Sequence, residues 1–333
     1  VYYLSQHNNV YYEVFIKERV SMRYTIGVDL GGTNLRAGLV DTNGTIYYDT
    51  KVDTIVEEGP DAIFGRMVTL IKTVQHQLPA DGTLAGVGIG VPGPLDPVAG
   101  FVFAMPNIQG FENTPLRAML AEATGLDIEL GNDANAAAVG EWMFGAGQGL
   151  RDLVYITVST GIGGGVIADG HLLLGHKGSA GEVGHHIIDW HTRMSWEDTA
   201  AGPGFARRAA HAMRQTTDTA LHQLTTPDLV QGHHIATAAA AGDAVAQRLM
   251  DEEGEAIGAG LVNMLHLYSP AKIVLGGGVV INNPQLVDRA KVVIAERAIA
   301  VYRDVPVEVT QLGDRIGLLG AAALYDHMRQ RRA

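Results

Sequence analysis

No cysteine occurs in this chain. That excludes disulfides, thiolate metal sites and cysteine nucleophiles, and it suits a cytoplasmic protein. A basic surplus is missing too: 24 Lys and Arg against 36 Asp and Glu leave a net charge of −12. Nothing remains to neutralise nucleic-acid phosphates non-specifically, so no nucleic-acid partner is expected. No apolar run reaches the roughly 18 residues needed to span a bilayer, so no membrane partner is expected either. Residues 1–21 lack the basic and then apolar pattern of a secretory leader. Their tyrosines and Asn8-Asn9 are unlike the rest of the chain, and Met22 stands directly before the first clear strand. The fold is expected to begin near Met22, with residues 1–21 an extension or an upstream translation artefact. Neither a G-x-x-x-x-G-K-[ST] loop nor a protein-kinase H-R-D with D-F-G is present. Any phosphoryl transfer must use another architecture.

What is present is enough for two buried cores: 333 residues, 47% of them hydrophobic, predict two domains. Tyr24 to Asp41 reads as an apolar strand running into Asp29, a Gly31-Gly32 turn with Thr33 and Asn34, and a returning strand. Glycines let backbone N–H groups approach an anion, and Thr and Asn add donors. Such a turn can hold a nucleotide phosphate with a Mg²⁺-attracting Asp29 beside it, although an isolated Gly-Gly is usually only a hairpin turn. Asn43-Gly44 marks a second hairpin. A helix comes next over Asp61 to Gln77, then a buried strand over Leu84 to Val91, a helix over Leu116–Ala123 and a strand over Asp127 to Leu130. The plan then restarts: a strand over Leu153 to Val158, a Gly-rich turn over Ser159 to Gly165, and a return strand. Helical sequence runs from Ala236 to Ala246 and on from Glu255 to Leu267, before a strand over Lys272 to Leu275 that feeds Gly276-Gly277-Gly278. A Gly-rich hairpin at the first turn of each half is a weak internal repeat. Two α/β lobes facing each other would bring both turns to one nucleotide.

Gly88-Ile-Gly90-Val-Pro-Gly93 satisfies the dinucleotide-binding expression, but Pro92 and Pro94 make a turn where that motif needs a helix to open. Asp133 stands after an apolar strand at the start of a helical run. A carboxylate there stays ionised and oriented. It serves either as an N-cap worth about 1 kcal/mol or, with Asn132 taking over the capping, as a general base. Gly181-Glu-Val-Gly-His185 with Trp196-Glu197 offers Glu182, His185 and Glu197 to a polyhydroxylated ligand.

These residues together resemble the ROK sugar kinases, the bacterial glucokinase-like members of the actin/hexokinase fold. The matches begin with Asp29-Leu-Gly-Gly-Thr-Asn-Leu-Arg36, Gly88-Ile-Gly-Val-Pro-Gly93, Pro106-Asn-Ile-Gln-Gly110 and Gly131-Asn-Asp-Ala-Asn135. They continue through Ser159-Thr-Gly-Ile-Gly-Gly-Gly165, Gly181-Glu-Val-Gly-His185, Ile273-Val-Leu-Gly-Gly-Gly278 and Gly317-Leu-Leu-Gly-Ala-Ala322, in order over nearly the whole fold.

The resemblance implies two actin-like, RNase H-like α/β lobes with an active-site cleft between them. An N-terminal lobe would cover 22–130 and a C-terminal lobe 131–314, with a last helix over about 315–333 packing back on the first. It implies an ATP-dependent kinase acting on the 6-hydroxyl of a hexose, glucose first, with N-acetylglucosamine, N-acetylmannosamine, mannose or fructose behind it. Asp133 would be the base. Asn107, Asn132, Glu182, His185 and Glu197 would bind sugar hydroxyls. Gly31, Gly32, Thr33 and Asn34, with Thr160, Gly161 and Gly163, would cradle the phosphates. Gly276, Gly277 and Gly278 would lie against the adenosine, and Asp29 would hold Mg²⁺ through water. A homodimer is implied as well.

One departure is large. The family's Cys-x-Cys-Gly-x-x-Gly-Cys zinc stretch is absent, and the segment His186 to Ser195 is several residues shorter than its usual spacing. No structural zinc is expected, although His185, His186, Asp189 and His191 offer a substitute N/O set. A ROK-type repressor would need a winged helix-turn-helix ahead of the sugar domain, for which residues 1–21 are too short. A sensor that has lost catalysis is a rival to the enzyme, and so is an actin-like ATPase without a sugar acceptor.

Overall fold

The computed structural model describes residues 21–332 and the strand pair Leu4–His7 and Val10–Glu13. That pair hydrogen-bonds to itself in a two-stranded sheet of its own; the rest of the expected 1–21 extension, Ser21 apart, lies outside the described residues.

The first large sheet is built from β1 (Arg23–Leu30), β2 (Asn34–Asp41), β3 (Ile46–Asp53), β4 (Thr83–Val91) and β5 (Ile128–Asn132). Its strand order is β3-β2-β1-β4-β5, antiparallel from β1 to β3 and parallel from β1 through β4 to β5. Helices α1 (Pro60–Gln75) and α2 (Leu116–Thr124) cover one face. Ile63, Met67, Leu70, Ile71 and Val74 of α1 fall at helical spacing and join a core with Ile26, Val28, Leu35 and Ile89.

After α3 (Asp133–Phe144) the same plan recurs. Strands β6 (Leu153–Val158), β7 (Ile162–Ala168), β8 (His171–Leu172), β9 (Lys272–Gly276) and β10 (Val307–Val309) lie in the order β8-β7-β6-β9-β10. The pattern of antiparallel and parallel pairs is the same as in the first sheet. The faint sequence repeat is therefore a repeat of topology, one α/β lobe built twice. Between β8 and β9 come α4 (Trp196–Ala200), α5 (Gly202–Gln215), α6 (Gly232–Ala240) and α7 (Ala244–Tyr268). After β9 come α8 (Gly278–Ile281) and α9 (Gln285–Arg297). The helical stretch expected without a break around Ala236 to Ala246 is interrupted. Gly242 adopts a left-handed φ of 91° and the Asp243 side chain caps the next helix through the Ala246 N–H at 2.8 Å.

The final helix, α10 (Ile316–Arg332), lies across β1, β4 and β5 of the first sheet and against α3. Glycines permit this. A Cβ on Gly88 would stand 1.8 Å from the Ala321 carbonyl oxygen, and one on Gly27 2.2 Å from that of Leu318. Gly88, the first glycine of the misleading dinucleotide pattern, thus serves helix–sheet contact. Among the described residues no helix is long and apolar enough to cross a membrane.

Candidate active site

The first Gly-rich turn closes where the Gly31 N–H donates to the Asn34 carbonyl at 2.9 Å. Gly32, Thr33 and Asn34 are exposed on it, and neither glycine takes a positive φ. Their value here is the absent side chain. The wholly buried Thr54 braces the turn from behind: its N–H donates to Thr33 O at 2.8 Å and its hydroxyl to Gly31 O at 2.6 Å. Asn107 stands beside it, its Cβ 3.6 Å from where a Cβ on Gly32 would be.

Two carboxylates lie near enough to feel each other's charge: Asp29, the last residue but one of β1, and Asp133, the first of α3. Burial pushes the Asp29 carboxyl up to about 6, the negative charge of Asp133 adds to this, and the Arg36 guanidinium opposes it. Asp133 is raised too, by burial first and by the charge of Glu182, while the Ala134 N–H on its Oδ1 at 2.8 Å pulls it down. The capping of α3 belongs to Asn132, whose Oδ1 accepts from Ala134 N at 2.9 Å and Asn135 N at 3.2 Å. Asp133 is therefore the first residue of the helix and not its cap. It opens to solvent while the surrounding protein disfavours its charge. A carboxylate poised in this way suits proton transfer. Gly317, in the first turn of α10, lies so close to Asp29 that a Cβ would stand 2.1 Å from Oδ2.

The second Gly-rich turn, between β6 and β7, is closed by Ser159 N–H donating to Gly161 O at 2.8 Å. Thr160 is exposed at its tip. A Cβ on Gly163 would lie 3.0 Å from the Ala134 side chain, which joins this turn to the start of α3. Glu197 lies against the turn: its Oε2 accepts the Ile162 N–H at 2.8 Å and would stand 2.5 Å from a Cβ on Gly161. The carboxylate expected among sugar hydroxyls thus braces the second Gly-rich turn through one oxygen. Glu182 and His185 are both exposed in and beside the short 3₁₀ turn after β8, with Glu182 near enough to Asp133 to raise it.

The four-residue substitute metal set does not assemble, and among the described residues no cluster of three or more potential ligands exists. His186 Nδ1 meets the Val183 carbonyl and so carries the proton, which leaves Nε2 to accept from the Asn263 amide at 3.1 Å. Asp189 Oδ1 accepts from His191 N at 2.9 Å and Thr192 N at 3.3 Å, which closes its own turn. Hydrogen bonds therefore hold this loop: the hairpin Ile187–Asp189 with Met194–Ser195, the His186–Asn263 contact, and a capping box of Ser195 and Asp198 on α4.

A cavity of about 670 Å³ opens beside the second turn. Its walls include Ser159, Thr160, Phe205, Ala236, Gly278 and Val279. Of Gly276, Gly277 and Gly278, only Gly278 lines it. A Cβ on Gly276 would strike the Tyr155 hydroxyl oxygen at 2.1 Å, and Gly277 turns the chain with a φ of 86° over Val158. A second cavity, about 820 Å³, lies between α5 and α7 and holds none of the site residues named from the sequence. Thr54 belongs to none of the sequence motifs; Arg36 and Gly317 each stand at one end of a motif, but only the register that sets Arg36 opposite Asp29, and the fold that lays Gly317 on it, bring them to the site.

Residues 25–328 match the ROK family model. The chain is 34% identical over 315 residues to a glucokinase of Thermotoga maritima, covering 90% of this chain and 96% of that protein. It is 28% identical to a xylose repressor of Caldicellulosiruptor bescii, covering 90% of this chain and 77% of the repressor. The crystal structure of a ROK family glucokinase from Streptomyces griseus in complex with glucose and AMPPNP superposes with a TM-score of 0.76 at 34% identity, covering 90% of this chain and 98% of that one. With the family model matched over 25–328 and the doubled lobe topology in place, the chain belongs to the ROK family, on the actin/hexokinase-like fold.

Proposed function

We propose that this protein is an ATP-dependent sugar kinase that phosphorylates the 6-hydroxyl of a hexose, glucose before other hexoses and N-acetylhexosamines. The observation that carries this reading is Asp133. It is relieved of capping by Asn132, raised by its surroundings and paired with Asp29. The glucokinase relative and the glucose and AMPPNP complex support it.

In this reading Asn107, Asn132, Glu182, His185 and Glu197 orient the sugar. Asp133 accepts the proton of the 6-hydroxyl as that oxygen attacks the γ-phosphorus and the bond to the β-phosphate oxygen breaks. Gly31 to Asn34 and Thr160, Gly161 and Gly163 hold the phosphates with backbone and side-chain donors, and the cavity at Gly278 takes the adenosine. Asp29 is an oxygen donor beside a second carboxylate, which fits a hard dication. Asp29 would hold Mg²⁺ there through water, and the bound ion would supply charge compensation on the phosphates. Phosphoryl transfer asks little covalent chemistry of the protein, so positioning dominates. Closure of the lobes over the sugar excludes water.

The test is ADP release from ATP and Mg²⁺ across hexoses and N-acetylhexosamines, with Asp133→Ala alongside. Release that depends on one sugar and is lost in the variant supports the reading and names the substrate. Sugar binding without release would instead make the protein a sensor. Sedimentation of the same preparation tests the homodimer.

A further inference from the structure

The chain passes between its lobes twice, once from β5 into α3 and once through residues 310–315 from β10 into α10. A buried contact joins the two passages. Glu141, in the last turns of α3, is fully buried. Its Oε1 accepts from the Thr310 hydroxyl and its Oε2 from the Ala146 N–H at 3.0 Å. Thr310 is anchored in turn to the second sheet, its N–H donating to Leu275 O at 2.8 Å, and its hydroxyl oxygen accepts from Leu312 N at 3.1 Å. Farther along the same passage Arg36 of the first sheet donates to Asp314 O at 3.1 Å. The helices that flank these passages touch backbone to backbone: a Cβ on Gly320 would stand 2.3 Å from Ala136 O, and one on Gly140 2.8 Å from the Gly320 Cα.

Asp133 opens α3 two turns before Glu141, and the first turn of α10 lies on Asp29 through Gly317. We infer that Glu141 and Thr310 are positioning residues: their hydrogen bond locks both passages into one hinge, so that Asp133 and Asp29 keep their relation while the lobes close. A fully desolvated carboxylate is a costly choice for mere packing, where an apolar pair would serve. Its hydrogen bonds here tie the end of its own helix, at Ala146, to Thr310 on the other passage, which is what a hinge pin requires. The inference rests on the phosphoryl-transfer reading for its compaction and kinetic arms.

The experiment uses Thr310→Val, which keeps shape and removes the hydroxyl, and Thr310→Ser, which keeps the hydroxyl. Glu141→Gln, which places an amide donor against donors, is the third variant. Hydrogen exchange on the sugar-free proteins is read at Ala146 and Leu312, the solution radius is followed on adding sugar and AMPPNP, and kcat and KM are measured. Thr310→Val is expected to speed exchange at both amides by about 10-fold, the scale of one lost buried hydrogen bond. It should also blunt the compaction and lower kcat by about 10-fold with little change in either KM. Thr310→Ser should restore all of these, and Glu141→Gln should behave like Thr310→Val. Faster exchange at Leu312 alone, or a lower melting temperature with wild-type compaction and kcat, would overturn the inference. The exchange arm stands even if no sugar is phosphorylated, so failure of the kinase reading is distinguishable from failure of the hinge.

Discussion

The charge of Asp133 bears on Asp29 across the cleft and, after burial, is the second cause that holds the Asp29 carboxyl at about 6. This makes Asp29 a source of strain in the ligand-free protein. Its ordinary value is 3.8, so the folded state binds the proton more tightly than the unfolded chain. Raising the pH through the interval from about 4 to about 6 therefore costs stability, roughly 2–3 kcal/mol in full above it. Asp29→Asn should accordingly melt higher than the parent near pH 7.5, lose that advantage near pH 4, and have no kinase activity. Equal melting temperatures at both pH values would refute the assignment.

Asp133→Asn separates chemistry from folding. Because Asn132 holds the N-terminal N–H groups of α3, loss of the Asp133 charge leaves the cap in place. Activity should fall by about 10²–10⁴-fold, the range for a lost general base, with an unfolding midpoint near neutral pH no lower than that of the parent, because a charge disfavoured by burial is removed. The reciprocal variant, Asn132→Ala, should lose about 1 kcal/mol of stability. Denaturant titration of the two variants side by side decides which residue caps.

Much of this arrangement was legible in the sequence because it is local. Strand, Gly-rich turn and strand are written within twenty residues in each half, and Asn132 next to Asp133 already posed the question of who caps. What lay beyond reach comes from far along the chain. Thr54 behind the first turn, Gly317 on Asp29 and Glu197 on Ile162 each meet their partners across at least 21 positions. No short pattern marks such contacts. Gly276 is ambiguous for a related reason: a glycine that clears Tyr155 looks, in sequence, like one that faces a ligand. At Gly242 a single left-handed residue outweighed the helix propensity of the alanines around it.

Arg36 offers a test of sign. Its guanidinium opposes the rise of Asp29 while bonding to Asp49 at 2.7 Å and to the backbone of Asp314. Arg36→Gln removes that opposition, so Asp29 should take its proton at higher pH. The acid limb of the kcat/KM profile should then move upward, with activity near pH 8 reduced far less than activity near pH 6. An unmoved or downward-shifted limb would sink the electrostatic role.

Glu197 separates two kinds of work by chemistry. As a brace, its Oε2 needs only to accept the Ile162 N–H at 2.8 Å, and a glutamine carbonyl does that without charge. As a ligand to sugar hydroxyls it benefits from ionisation, since charged acceptors make hydrogen bonds about twice as strong as neutral ones. Glu197→Gln should therefore leave the KM for ATP near that of the parent and raise the KM for sugar. Glu197→Ala should raise both, by about 10-fold for ATP, because the turn loses the partner of a buried N–H. If Glu197→Gln disturbs ATP and spares the sugar, the carboxylate serves the phosphate turn through its charge, and Glu182 and His185 carry the sugar on their side of the cleft.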